Sequence, residues 1–196
     1  MFAFVSKTRR GVMQSSRVQL MLSIFENIDT PFHLPSITVH ILHDNTLTQD
    51  NREKFICIAE RYNQLVEFHN VEELCADRIR AIYQGFPNAD KKRFTIGTFY
   101  RLFVPFVLPE TIEKAIYLDG DIIVNLDIKE LWQIDLEDKP LGVVNYHPKT
   151  RWFNAGVLFM NSRVLRHEEE TISNGLKFAK ENPQNFRWLE IHYKIN

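Results

Sequence analysis

The sequence predicts an α/β fold in which helices cover both faces of a mostly parallel sheet. Short apolar runs of strand length alternate with longer stretches whose apolar residues recur every three or four positions. Several of those runs are apolar at successive positions, as interior strands of a doubly covered sheet are, so neither strand face is expected to meet water. At 196 residues the chain suits one well-packed domain, expected to span 1–196, and is too short for two comfortable ones.

The elements follow in order. Phe2 to Val5 reads as an interior strand, and Ser15 to Phe25 as a helix with Val18, Leu22 and Phe25 on one face. Ile37 to Leu42 is the next strand, after which Thr48 is placed to cap a helix carrying Phe55, Ala59, Tyr62 and Val66. Val66 to Val71 resumes as strand. Thr95 to Phe106 reads as an amphipathic helix through Ile96, Phe99 and Phe103, with Pro105 and Pro109 marking its end. Lys114 to Leu118 is a buried strand, followed by a short helix around Ile128 to Trp132 and strands at Leu141 to Val144 and Gly156 to Met160. Glu168 to Lys180 closes as a charged helix with Ile172, Leu176 and Ala179 on one face.

The formal net charge is −1, and acidic and basic residues interleave, so nothing marks a surface for nucleic acid or an anionic membrane. Cys57 and Cys75 lack C-x-x-C spacing and fall in helix-like segments, the pattern of reduced structural thiols. No stretch approaches the length of an apolar membrane span, and Met1 to Arg10 places its charges after the apolar residues. These features lead us to expect a cytoplasmic protein without a transmembrane segment, with peripheral attachment to a membrane left open.

The residues richest in chemistry are Tyr117 to Asn125, Y-L-D-G-D-I-I-V-N. An apolar strand runs directly into two carboxylates, and in open parallel sheets ligands collect at the carboxyl ends of strands. On extended backbone, residues i and i+2 point the same way, so Asp119 and Asp121 could face one cation, while Gly120 would let a phosphate approach the main chain. Hard oxygen ligands select Mg²⁺ or Mn²⁺. A bare D-x-D is common by chance, and a solvated strand-to-loop turn is the plain alternative.

Three segments together carry a resemblance: T-F-Y-R-L-F at Thr98 to Phe103, Y-L-D-G-D-I-I-V-N, and F-N-A-G-V-L-F-M-N at Phe153 to Asn161. In order and approximate spacing they resemble glycosyltransferase family 8, retaining enzymes that transfer a sugar from a nucleotide donor. With L-W-Q-I-D-L at Leu131 to Leu136, the likeness runs from Ile37 to about Lys180. It implies a Rossmann-like nucleotide-sugar-binding domain of the GT-A type, a UDP-sugar donor, a glycan or glycolipid acceptor, and Mn²⁺ or Mg²⁺ held by Asp119 and Asp121 against the donor diphosphate.

Carried over by position, Arg101 resembles the arginine that reaches the donor near the metal, a role suited to its permanent charge and planar fork. Its plain alternative is a surface arginine pairing with Glu110 or Glu113. Asn154 and Ala155 resemble the positions beside donor sugar and acceptor; an amide offers donors and acceptors to hydroxyls, and a small residue leaves the backbone open. An ordinary tight turn is the alternative there.

The sequence departs from the family pattern in places. Where family members carry A-x-D-x-x-Y with a nucleotide-holding Asp, this chain reads Val5-Ser6-Lys7-Thr8-Arg9-Arg10, and the interval from Asp121 to Phe153 is short. Phe186 to Asn196 contains neither D-Q-D nor H-x-x-G-x-x-K-P-W, so neither His147 nor His192 stands in the setting of the family's histidine ligand. The resemblance therefore implies that the carboxyl-terminal part of the family domain is missing, a catalytic residue is not identified, and donor binding is expected with little or no transfer. Competing readings are an inactive donor-binding or structural remnant of the same fold and, on the D-x-D alone, a dehalogenase-type phosphatase.

Overall fold

The computed structural model describes residues 2–5, 14–29, 37–85, 96–145 and 153–168, with isolated helical positions beyond. Among the described residues, six strands form one sheet in the order β3-β2-β1-β4-β6-β5. They are β1 (Phe2–Val5), β2 (Thr38–His43), β3 (Leu65–Asn70), β4 (Lys114–Leu118), β5 (Leu141–Asn145) and β6 (Phe153–Asn161). Strands β3, β2, β1 and β4 are mutually parallel, whereas β6 runs antiparallel to both β4 and β5. The expected mostly parallel α/β sheet is thus present, with one reversed strand.

Alternation along the interior strands divides the apolar side chains between two cores. From β4, Ala115 and Tyr117 enter one core, while Ile116 and Leu118 enter the other. Strand β6 does the same with Leu158 and Met160 against Phe159. One core is closed by α1 (Gln14–Glu26), α2 (Gln49–Arg61) and α6 (Lys129–Trp132), through Leu20, Ile24, Phe55, Ala59, Leu131 and Trp132, with Ile128 just before α6. The other is closed by α3 (Val71–Leu74), α4 (Ala76–Gly85), a 3₁₀ segment (Ile96–Phe103), α5 (Val104–Val107) and α7 (Ser162–His167). Both faces of β4 are therefore dry, which is why K-A-I-Y-L is apolar at consecutive positions after its lysine.

Local chemistry sets several boundaries. The Thr48 hydroxyl accepts from the Asn51 N–H and caps α2 as expected, and Asn70 caps α3 through the Glu72 N–H. That second cap ends β3 at Asn70 and makes Val71, expected as the last strand residue, helical; α3 and α4 follow on either side of Cys75, which the sequence placed in a helix-like segment. The expected helix at 95–106 is instead 3₁₀ over Ile96–Phe103 and α over Val104–Val107. Pro105 lies in the first turn of α5 rather than ending a helix, because a missing N–H costs nothing there. Leu108, in extended conformation before Pro109, provides the stop.

Strand β6 is longer than expected, and at the register shift between Val143 and Val144, which face Leu158 and Asn154, the extra residues belong to β6. Helix α7 begins earlier than the helix expected at 168–180, most of which lies outside the described residues. Arg166 of α7 donates to the carbonyls of Pro105, Leu108, Pro109, Glu110 and Ile112. One guanidinium thereby satisfies the turn that delivers the chain from α5 into β4.

Between β2 and β3, His40 Nδ1 lies 2.9 Å from His69 Nε2 and 3.3 Å from a Glu67 carboxylate oxygen. His40 is fully buried, and desolvation, aided by His69, pushes its imidazole from the ordinary 6.5 to about 3. Folding therefore holds His40 neutral, whereas the unfolded chain takes up a proton below about pH 6.5. Stability present above that pH is lost as pH falls toward 3. Between about pH 7.5 and pH 5 the loss from this group should be on the order of 2 kcal/mol. Urea unfolding of wild type and His40→Phe at both pH values should show a clearly smaller pH dependence in the variant; equal dependence would remove the assignment.

Candidate functional site

The site is assembled where the carboxyl end of β4 meets the first residues of β6. The backbone N–H of Asp119 donates to the Gly156 carbonyl at 2.8 Å, extending the β4–β6 ladder by one step beyond Leu118–Val157. D-G-D and F-N-A-G, distant in sequence, thus share one corner of the sheet. The strand stops at Leu118, and the Ile122 N–H returns to the Asp119 carbonyl at 3.1 Å, so Asp119 to Ile122 form a turn. The expectation that Asp119 and Asp121 align by strand alternation is corrected accordingly. Asp121 is exposed, while Asp119 is inclined into the site with its side chain 33 % exposed.

Alternation instead aligns Asp119 with Tyr117, two residues earlier. The buried Tyr117 hydroxyl donates to Asp119 Oδ1, and Arg101 Nη2 donates to the same oxygen at 2.9 Å. Burial raises the Tyr117 phenol well above its ordinary range, Arg101 opposes that, and Asp119 and Asp121 add to it. Both carboxylates therefore act on one phenol, which places them in one electrostatic neighbourhood although they leave the backbone differently.

Arg101, from the 3₁₀ segment, is itself buried. Besides Asp119 it donates to the carbonyls of Thr98 and Ala155, and its guanidinium lies 4.9 Å from the Tyr117 ring centre. Arg101 pairs with Asp119, so the surface pairing with Glu110 or Glu113 is set aside. The 3₁₀ winding and apolar neighbours Phe99, Leu102 and Phe103 fix its origin in the core, so the fork arrives at the site already oriented.

Asn154 is exposed within β6, and its Oδ1 accepts from the Gly156 N–H at 2.7 Å, an Asx-turn contact inside the strand rather than the tight turn before a strand considered for it. Gly156 leaves little room for a side chain. A Cβ there would sit 3.0 Å from Asn154 Oδ1 and 3.2 Å from Asp119 Oδ2. The structure thus brings Arg101, Asp119, Ala155 and the Asn154 turn together, with Gly120 and Asp121 following on the same turn. His147, His192 and the Lys7–Arg10 run lie outside the described residues.

Two residues near the site escaped the sequence reading. Tyr117 was legible from period-two spacing to Asp119, but it was read only as part of a strand. Arg17 of α1 packs against Gly120, where a Cβ would meet its Cγ at 2.8 Å and Nε at 2.9 Å. A lone arginine opening an amphipathic helix carries no signal of such a contact.

With this geometry in place, the family model of glycosyl transferase family 8 matches residues 12–193. The chain belongs to glycosyl transferase family 8. The glycosyltransferase GlyD of Streptococcus pneumoniae is 39 % identical to this family 8 chain over 72 residues, 37 % of this chain and 8 % of that protein. A putative glycosyltransferase of Haemophilus influenzae is 29 % identical over 169 residues, 76 % of this chain and 46 % of that protein. The chain therefore spans less than half the length of either relative.

Among solved structures, mouse xyloside xylosyltransferase 1 in its apo form superposes with a TM-score of 0.65 at 16 % identity, covering 93 % of this chain and 73 % of that one. Galactosyltransferase LgtC, solved with donor and acceptor sugar analogs, gives 0.67 at 20 % identity over 95 % and 66 % of the two chains. These likenesses establish the GT-A fold, and family membership sets aside the dehalogenase-type reading of D-G-D. In this family 8 chain no helix among the described residues is long and apolar enough to cross a membrane.

Arg101→Lys should retain the fold and lose about 1–2 kcal/mol of stability, because one ammonium cannot reach Asp119, Thr98 and Ala155 together. Urea unfolding measures this. A variant as stable as wild type would show that the fork geometry is dispensable.

Proposed function

We propose that this chain is a metal-dependent glycosyltransferase domain that moves a hexose from a UDP-sugar to a glycan or glycolipid acceptor with retention. The observation that supports it best is the meeting of Arg101, D-G-D and F-N-A-G at one corner of the sheet in a family 8 chain.

A divalent cation fits the residues present. Asp119 Oδ1 is occupied by Tyr117 and Arg101, leaving Oδ2 beside Gly156, and Asp121 stands exposed on the same turn. Two hard carboxylates suit Mg²⁺ or Mn²⁺, whose remaining positions accept diphosphate oxygens and water. Held by Asp119 and Asp121, the ion would neutralise charge developing on the departing nucleoside diphosphate.

The other residues act through position. Arg101 and Tyr117 fix one face of the Asp119 carboxylate, so little reorganisation remains when donor binds. The Asn154 amide faces the donor sugar with its free N–H groups, and Ala155 keeps bulk away from it. The acceptor hydroxyl attacks from the face that the nucleotide leaves, which gives retention.

Calorimetry should show UDP binding more tightly with Mn²⁺ than with EDTA, by about tenfold or more, since the metal offsets repulsion between diphosphate and two carboxylates. Asp119→Ala combined with Asp121→Ala should abolish that difference. Equal affinity with and without metal in the wild type would dismiss the metal site.

Asn154→Ala should weaken binding of a UDP-hexose more than binding of UDP, with the melting temperature nearly unchanged. A large fall in melting temperature accompanied by equal losses for both ligands would mean that Asn154 serves the turn alone.

A further inference from the structure

We propose that Arg17 holds the diphosphate of the donor from the α1 side, supplying a fixed cation that works independently of the metal. The inference rests on the donor-site reading above and adds to it a residue outside the three motifs.

Four observations converge. Arg17 is only 5 % exposed, and its Nε and Nη1 atoms are buried without a hydrogen-bond partner among the described residues. A guanidinium withdrawn from water with unfilled N–H groups costs several kcal/mol unless a partner arrives. Second, the side chain lies against Gly120, the middle of D-G-D, so closely that any other residue there would collide with Cγ and Nε. The glycine is thus needed for Arg17 to reach this place.

Third, Arg17 lies near Asp44, whose charge favours the protonated guanidinium, and near Tyr117. Asp44 follows β2 and Tyr117 is the penultimate residue of β4, and β1 lies between those strands in the sheet. Arg17 is therefore at the carboxyl ends of the central strands, where the sheet order turns from β2-β1 to β4. Ligands of open α/β sheets occupy this crevice.

Fourth, the protein does not supply full compensation. Asp44 Oδ1 already accepts from the Thr46 N–H and hydroxyl. Burial still brings the guanidinium down to about 10, so it is charged at neutral pH and remains short of acceptors. A diphosphate carries several oxygens and suits a planar fork presenting two N–H groups. The metal pair Asp119 and Asp121 is anionic until an ion binds; Arg17 is cationic throughout. The two devices meet the same ligand with opposite charge, separated by the Gly120 turn.

The test uses the full 196-residue chain, its Arg17→Met and Arg17→Lys variants, and three probes, UDP, inorganic pyrophosphate and uridine, each with Mn²⁺ and with EDTA. Arg17→Met should melt at or above the wild-type temperature, because an unfilled buried charge has gone. It should lose about ten- to a hundredfold in affinity for UDP and pyrophosphate in both conditions and nothing for uridine. Arg17→Lys should regain part of that loss and carries the comparison if the methionine variant does not fold.

Wild type binding UDP while both variants bind it equally well would overturn the inference and leave the donor-site reading standing. Pyrophosphate bound through Arg17, with uridine contributing nothing to UDP affinity, would overturn the uridine-nucleotide reading and support the inference. Equal proportional losses for uridine and UDP in Arg17→Lys would show a packing role and overturn it, as would failure of the wild type to bind either phosphate probe.

Discussion

The architecture of the site depends on one shared oxygen. Asp119 Oδ1 receives both the Tyr117 hydroxyl and the Arg101 guanidinium, and the same guanidinium holds the Thr98 and Ala155 carbonyls. Three segments far apart in sequence, the 3₁₀ element, the end of β4 and the start of β6, are thus joined through one side chain. An ammonium carries all its donors on one nitrogen and could not span these contacts; the planar fork, with separate nitrogens, holds them together. Asp119 is thereby committed on one oxygen and open on the other, and the Asn154 turn is fixed by its link through Gly156 to the same corner.

That corner is stable because what lies beneath it is dry. Strands β4 and β6 send alternate side chains into two cores, and their register places Leu118 opposite Val157 immediately before the site begins. Arg166 reinforces the approach by gathering the carbonyls of the turn leading into β4. The polar groups at the carboxyl end of the sheet are therefore carried on rigid apolar elements, the arrangement that catalytic positioning requires.

Two buried basic groups behave oppositely. His40 is fully buried and escapes the cost of charge by staying neutral beside His69, so its effect appears as a dependence of stability on acid. Arg17 cannot lose its proton at neutral pH, so burial leaves it charged and short of acceptors next to D-G-D. Stability alone does not account for such an arginine; the proposed anionic ligand in the crevice would.

Strand and helix alternation was legible in the residues themselves, because apolar spacing follows directly from covering a sheet on both faces. K-A-I-Y-L and the Thr48 cap were readable on local grounds alone, and the three motifs indicated the family and the corner. Local spacing could not show that Pro105 opens a helix, that the Asn70 cap turns Val71 into one, or that β6 reverses against β4, since each depends on what packs nearby. Nor could it show that D-G-D is a turn, which makes Tyr117 rather than Asp121 the same-face partner of Asp119. The choice of Asp119 over Glu110 or Glu113 by Arg101, and the approach of Arg17 to Gly120, were decided only by tertiary structure. A charged side chain selects its partner by distance and desolvation in space, and neither quantity is encoded in sequence separation.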